Sequence, residues 1–99
     1  MTAPQPRLEG AARDMYYFHH PDLWPVWPYL PVIRRKPNDE EDVGILYDFA
    51  HTSGRTGYSC TVFFCNIFFV PDTEEELLAL PKEVFDTFDE VRAAGWCVD

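Results

Sequence analysis

The sequence predicts an α+β fold: a small antiparallel sheet of three to four strands, with C-terminal helices on one face and an N-terminal Trp/Pro-rich extended segment. Apolar residues alternate along positions 43–50 and fill both alternating faces of positions 58–69, as strands do. Two helix-start signatures follow within positions 72–95. Apolar residues recur every second position in the first part of the chain, and helix-start signatures come after it. This order favours segregated strands and helices over alternating β/α units.

Length and composition indicate one folded domain. The chain has 99 residues, of which 46% are hydrophobic and 16% aromatic, which is too apolar for intrinsic disorder or a fibrous repeat. Residues 1–13 show no apolar periodicity, and we expect them to form a flexible tail. Residues 14–99 then form a single α+β domain, since this length leaves no room for a second core.

Prolines at positions 25, 28 and 31 define the Trp/Pro-rich segment. Their spacing of three is the period of a polyproline II helix, and each proline biases the preceding residue away from the α-helix. In that geometry Trp24, Trp27 and Leu30 share one edge, and we expect the segment to lie across the protein's own core. A proline-rich ligand for another protein's aromatic groove is less favoured, because such ligands usually lie in polar, disordered surroundings.

Strands are expected in four places. The first covers residues 29–35 and ends before the turn signal at 37–39. The next two, at 43–50 and 58–69, are joined by a glycine-containing loop that favours an antiparallel hairpin. A short terminal strand is expected at 96–98.

The third strand is apolar on both faces, so we expect it to be central and covered on both sides. If the Trp/Pro-rich segment does not cover its second face, a second copy of the chain must. A homodimer through Val62, Phe64 and Phe68 is then expected.

Helices are predicted in the acidic C-terminal part of the chain. In residues 72–81 and again in 86–95, a Thr is followed three positions later by a Glu, and Pro or Gly closes the segment. This spacing is that of a capping box, in which side chains satisfy the free N–H groups of the first helical turn. The two pairs are Thr73 with Glu76 and Thr87 with Glu90. Whether residues 82–94 form one helix or two stays open.

Charge and targeting signals limit the partners. Eight basic and seventeen acidic residues give a net charge of −9, and the basic residues cluster only at 34–36. We therefore expect no nucleic-acid partner, because phosphate binding needs clustered cations. The sequence shows no secretion signal and no apolar run long enough for a bilayer. With an odd number of cysteines, these features predict a cytoplasmic protein with no membrane partner and no disulfide framework.

Cysteine, histidine and serine give only weak signals for chemistry. Cys60 and Cys65 are five positions apart and would point to opposite faces of a strand, so they make a poor metal pair. A Cys60–His51 pair across the hairpin is conceivable, but a cysteine in an apolar strand usually serves packing. The serines match no nucleophile motif. We expect no metal, no cofactor and no catalytic residue, and an enzyme is the less favoured reading.

The predicted function is a small acidic, non-enzymatic protein-interaction domain that self-associates, with a different protein as the other possible partner. The expected interface residues are Trp24, Trp27, Val62, Phe64 and Phe68.

Two alternatives stay open. One is a small-ligand, anion-binding or catalytic module, in which the glycines of the loop at 53–57 let backbone N–H groups approach an anion. Its residues are His19, His20, His51 and Arg55. The other is an acidic mimic of nucleic acid that inhibits a basic protein.

Overall fold

The computed structural model describes residues 10–99 and has an α+β architecture. The helices are α1 (Gly10–His19), α2 (Glu74–Leu78) and α3 (Phe88–Ala93). The strands are β1 (Tyr29–Arg35), β2 (Glu41–Tyr47), β3 (Thr61–Phe63), β4 (Lys82–Val84) and β5 (Cys97–Val98). Short 3-10 turns occupy Pro21–Leu23 and Ile67–Phe69. The predicted α+β class with one antiparallel sheet is confirmed, but the sheet has five strands, in the order β4-β3-β2-β1-β5, rather than three or four.

The β1–β2 hairpin is the longest pairing in the sheet. Its register runs from Tyr29 opposite Tyr47 to Arg35 opposite Glu41. The turn is closed by the Lys36 N–H, which donates to the Glu40 carbonyl at 2.8 Å. The strand predicted at 29–35 is therefore confirmed with its bounds, and β2 ends at Tyr47 rather than at residue 50.

The long strand predicted at 58–69 is wrong, because only Thr61–Phe63 pairs in the sheet. Phe64 donates its N–H to the Pro81 carbonyl, and the chain then leaves the sheet for the Ile67–Phe69 turn. Val62 and Phe63 point to opposite faces, and both are fully buried within one chain. This short strand is covered on both sides without a second copy.

Strand β4 lies between α2 and α3 in the sequence. Residues 82–94, for which one helix or two were left open, therefore form one strand followed by one helix. Both predicted threonine caps are confirmed. Thr73 Oγ1 accepts the Glu76 N–H and Thr87 Oγ1 accepts the Glu90 N–H, each at 3.2 Å.

The C-terminal helices cover different faces of the sheet, so the prediction that they share one face is wrong. Val91 of α3 packs in a core cluster around Trp96 that also includes Val62. Leu77 of α2 packs in a second cluster, with Phe63. The intervening strand β4 takes the chain along the sheet edge, and this lets the two helices settle on opposite sides.

The N-terminal part of the described chain does not form the predicted tail followed by an extended segment. Helix α1 begins at Gly10, inside the range predicted as a tail, while residues 1–9 lie outside the described residues. The Trp/Pro-rich segment is a series of turns up to Pro28 and then enters β1 at Tyr29. The N–H groups of Trp24, Trp27 and Tyr29 each donate to a carbonyl three residues earlier, whereas polyproline II has no internal hydrogen bonds.

Candidate functional site

A compact turn follows β2 and holds Asp48 beneath the surface. The Asp48 N–H donates to the Pro28 carbonyl at 2.9 Å, and Thr52 Oγ1 donates to the Asp48 carbonyl at 2.7 Å. The His51 N–H donates to Asp48 Oδ1 at 3.3 Å. These local bonds follow from an Asp at the end of a strand, because its short side chain readily accepts from backbone N–H groups further along.

The Asp48 carboxylate orients the imidazole of His51. Trp27 Nε1 donates to Asp48 Oδ2 at 2.8 Å, and His51 Nδ1 lies 2.9 Å from the same oxygen. The Asp48 side chain is 4% exposed and the His51 side chain is 69% exposed. Because an ionised carboxylate can only accept, His51 Nδ1 carries a proton and donates it to Asp48.

Two clefts meet at this Asp48–His51 pair. The first has a volume of about 210 Å³, and its lining combines aromatic residues with small and polar ones. Phe18, Trp24, Phe49 and Phe88 are among its lining residues, together with His19 and Ser59. The second, of about 610 Å³, is lined by Asp22, Trp27, Asp48 and His51. His51 is the accessible member of the pair, and Asp48 lies buried beneath it.

The structure brings together two of the four residues predicted to bind a ligand. His19 and His51 line the first cleft, where the His19 ring packs edge-on against Phe88 at 5.0 Å between centroids. His20 stacks on Tyr16 and makes a 2.7 Å hydrogen bond from Nδ1 to the Tyr16 carbonyl. His20 does not line either cleft.

Arg55, the fourth predicted ligand residue, lies apart from both clefts. Its Nε lies 3.4 Å from Glu74 Oε1. The Glu74 carboxylate offsets the positive charge on which anion binding by the loop at 53–57 would depend.

The geometry gives no support for a catalytic Cys60–His51 pair or for a metal site that includes a cysteine. Cys60 is buried in the cluster around Trp96, and this burial raises the pKa of its thiol, which keeps it protonated and unreactive. His51 is turned toward Asp48 rather than toward Cys60. Among residues 10–99, no group of three or more His, Cys, Asp or Glu side chains is placed to hold a metal ion.

The five predicted interface residues are dispersed. Val62 and Trp24 lie in the core of a single chain and form no surface, and the Phe64 ring packs against Trp96 at 5.7 Å between centroids. Strand β3 is short and buried on both faces within one chain, which leaves no β3 face through which Val62 could contact a second copy. Trp27 is half-exposed and holds Asp48, while Phe68 is exposed.

Phe68 belongs to a small apolar projection whose second member, Phe69, was not predicted. Phe68 is 83% exposed and Phe69 is 79% exposed. Asn66 orders the turn, because its Oδ1 accepts the Phe68 N–H at 3.0 Å and its carbonyl accepts the Phe69 N–H at 2.9 Å. We call these two exposed residues the Phe68–Phe69 tip. Asn66, a polar residue within an apolar run, was the sequence signal for this turn.

Comparisons of the chain with protein-family models, with curated proteins and with solved structures each found no match. Within residues 10–99, no helix combines the length and the apolar character that crossing a membrane requires. The Asp48–His51 pair and the Phe68–Phe69 tip are two features of the described chain that bear on its function.

Proposed function

We propose that the chain is a non-enzymatic protein-interaction domain that inserts the Phe68–Phe69 tip into an apolar pocket of a partner protein. The observation that carries this proposal is the exposure of both phenyl rings, 83% and 79%, on an ordered turn. Isolated apolar side chains are common at protein surfaces, but adjacent large ones are typical of interaction sites.

Burial of the tip supplies a substantial binding energy. Covering one phenyl ring contributes about 1.5–3 kcal/mol, which is about a tenfold to a hundredfold gain in affinity. The Asn66 hydrogen bonds already order the turn in the free chain, so binding costs little backbone entropy.

Charge around the tip favours a basic partner. Residues 66–81 contain four acidic residues and no Lys or Arg. Asp72, Glu75 and Glu76 are exposed. A pocket flanked by basic side chains complements this arrangement, and the association rate should fall as salt is added.

A second copy of the chain is a weaker candidate for the partner. Two tips packed together would bury on the order of 600 Å² of ring surface, by the area typical of a phenylalanine. Stable interfaces bury about 1,200 Å² or more. The net charge of −9 also opposes association of identical chains.

The nucleic-acid-mimic alternative needs one continuous surface of carboxylates without basic side chains among them. Arg34 instead binds Asp42 Oδ2 at 2.7 Å and Glu83 Oε1 at 2.8 Å. These hydrogen bonds lower the pKa of both carboxyl groups and neutralise part of the acidic surface. The tip therefore has more support as the binding element.

The experiment uses a photo-crosslinking phenylalanine analogue at position 68 to identify the partner, which is then purified and titrated by calorimetry. We expect the double substitution Phe68→Ala, Phe69→Ala to weaken binding at least about a hundredfold. Val43→Ala, which shortens an exposed apolar side chain elsewhere, is the matched control and should leave the affinity unchanged.

Three outcomes would overturn the proposal. The analogue could crosslink no protein in an extract of the producing cells, or the purified partner could bind the double variant as tightly as the wild type. The third is a homodimer in light scattering that the double substitution dissociates, because the occupant would then be a second copy.

A further inference from the structure

We infer that a cleft at the β5 edge of the sheet binds the phosphate group of a small phosphate monoester. Arg13, Arg35 and Arg92 line this cleft, which has a volume of about 310 Å³. They belong to α1, β1 and α3, so folding brings together cations that are far apart in the sequence. The site is separate from the Phe68–Phe69 tip and does not rest on the proposed function.

Two of the guanidinium groups flank one buried carboxylate, that of Asp14, which also lines the cleft. Arg13 Nη2 lies 3.4 Å from Asp14 Oδ1, and Arg92 Nε lies 3.0 Å from Asp14 Oδ2. The Asp14 side chain is 2% exposed, against 46% for Arg13 and 29% for Arg92. Since the carboxylate is buried and the two cationic side chains are not, the charge presented to solvent is positive.

Arg92 keeps N–H donors for a ligand. Its Nε makes no hydrogen bond to residues 10–99, because the contact with Asp14 Oδ2 is close but poorly aligned. Asp14 Oδ1 is occupied from another direction, where it accepts the Val98 N–H at 3.1 Å. A guanidinium group holds its donors in a fixed planar fork that matches the oxygens of a phosphate. Arg92 is therefore the main donor that we assign to the ligand.

Arg35 and the start of α1 add to the positive potential. Arg35 is 81% exposed, and its Nε lies 3.4 Å from Glu41 Oε1. Exposed ion pairs of this kind contribute little, so Arg35 can exchange Glu41 for a ligand. Gly10, the first residue of the ten-residue helix α1, also lines the cleft. The N-terminal end of a helix carries a partial positive charge, which favours an anion.

A phosphate monoester suits these donors better than a carboxylate does. It carries a charge of about −1.5 to −2 at neutral pH and three acceptor oxygens, so it can bind two guanidinium groups at once. A carboxylate brings one charge and two oxygens, which a single guanidinium group fills.

The volume of the cleft leaves room for a small organic group beside the phosphate. A cavity of about 150 Å³ holds benzene, and this cleft has about twice that volume. Ile33, Cys97 and Val98 are partly exposed lining residues that such a group can contact. The ligand needs no enclosed cavity, because charge-assisted hydrogen bonds supply much of its binding energy.

The experiment titrates the full chain with phenyl phosphate, inorganic phosphate and benzoate at constant ionic strength. Calorimetry gives the affinities, and ¹⁵N spectra follow the arginine Nε–H groups. We expect phenyl phosphate to bind at least about tenfold more tightly than benzoate, the effect of one added charge-assisted hydrogen bond. Inorganic phosphate should bind more weakly than phenyl phosphate, and the Arg92 Nε–H resonance should shift with both.

Variants test the arginines one at a time. Arg92→Gln should weaken phenyl phosphate binding at least about tenfold. Arg13→Gln and Arg35→Gln should each weaken it about threefold to fivefold, the size of an exposed ion pair. Since Arg35 is highly exposed, Arg35→Gln keeps the test valid even where Arg92→Gln unfolds the chain. Arg55→Gln makes the same change in net charge away from the cleft and should leave the affinity unchanged.

An absence of saturable binding up to about 10 mM phenyl phosphate would overturn the inference. Equal losses in the cleft variants and in Arg55→Gln would do so as well, because the attraction would then come from net charge alone. Benzoate bound as tightly as phenyl phosphate would contradict the choice of phosphate, and inorganic phosphate bound as tightly would contradict the monoester. The double substitution Phe68→Ala, Phe69→Ala should leave phenyl phosphate binding unchanged, which separates this result from the fate of the proposed function.

Discussion

Gly44 lets β2 pack closely against Val62 and Trp96, and Gly44→Ala should destabilise the chain by about 1–2 kcal/mol. An added Cβ would lie 2.5 Å from Val62 Cγ1 and 3.3 Å from Trp96 Cη2. Val62 and Trp96 are both fully buried, so neither can move aside freely. Overpacking of this kind costs about 1–3 kcal/mol. The gain from replacing a strand glycine by alanine, about 0.5–1 kcal/mol, offsets part of it.

Urea unfolding followed by tryptophan fluorescence measures the effect, and a thermal scan should show a fall of about 4–16 °C in Tm for this size of domain. The double variant Gly44→Ala, Val62→Ala provides the control, because it removes the methyl group that the new Cβ would strike. We expect the two substitutions to couple by at least about 0.5 kcal/mol. A neutral Gly44→Ala, or additive effects in the double variant, would refute this packing argument.

Three further predictions concern charge, capping and thiol reactivity. Arg34 lowers the pKa of Asp42 and Glu83 in the folded chain, so their stabilisation is present above the unfolded pKa of about 4 and is lost as pH falls through the lower folded values. In the wild type the urea concentration at the unfolding midpoint should fall between neutral pH and about pH 3. Arg34→Met should make this fall smaller, and an equal fall in both proteins would contradict the prediction. Thr87→Ala should cost about 1 kcal/mol in urea unfolding through loss of the α3 cap, whereas Thr87→Ser should cost less. Cys60 should react with iodoacetamide more slowly than a free thiol until urea unfolds the chain, and fast labelling of the folded chain would show an accessible thiolate.

Local signals predicted the parts of the fold that local interactions determine. The strand at 29–35 is bounded by a turn whose residues are visible in the sequence. The caps at Thr73 and Thr87 connect residues only three positions apart. Such elements can be predicted from short stretches because their stabilising partners lie within the same stretch.

The strand at 58–69 was predicted too long because its continuous apolar run includes both core residues and solvent-exposed residues. Up to Phe63 the apolar side chains serve the core, and beyond Asn66 two of them face solvent. Periodicity cannot separate these cases, since an apolar residue gives the same signal in a core and at a binding surface. Strand β4 was missed for a related reason, because its three residues are too few to show a period.

The site was predicted in part. His19 and His51 were predicted as ligand-binding residues from their side-chain chemistry alone, and the structure places both at one cleft. Asp48 was not selected, although an Asp at the end of a strand and three positions before a His was visible in the sequence. The bond from Trp27 joins positions far apart in the chain, and only the folded structure shows it.

The mass of the protein in solution tests most directly whether one chain covers both faces of its own sheet. Light scattering at micromolar concentration should give 11.5 kDa, the mass of a single chain. A stable species of about twice that mass, persisting when Phe68 and Phe69 are replaced by alanine, would show that the sheet needs a second copy and would contradict the architecture described above.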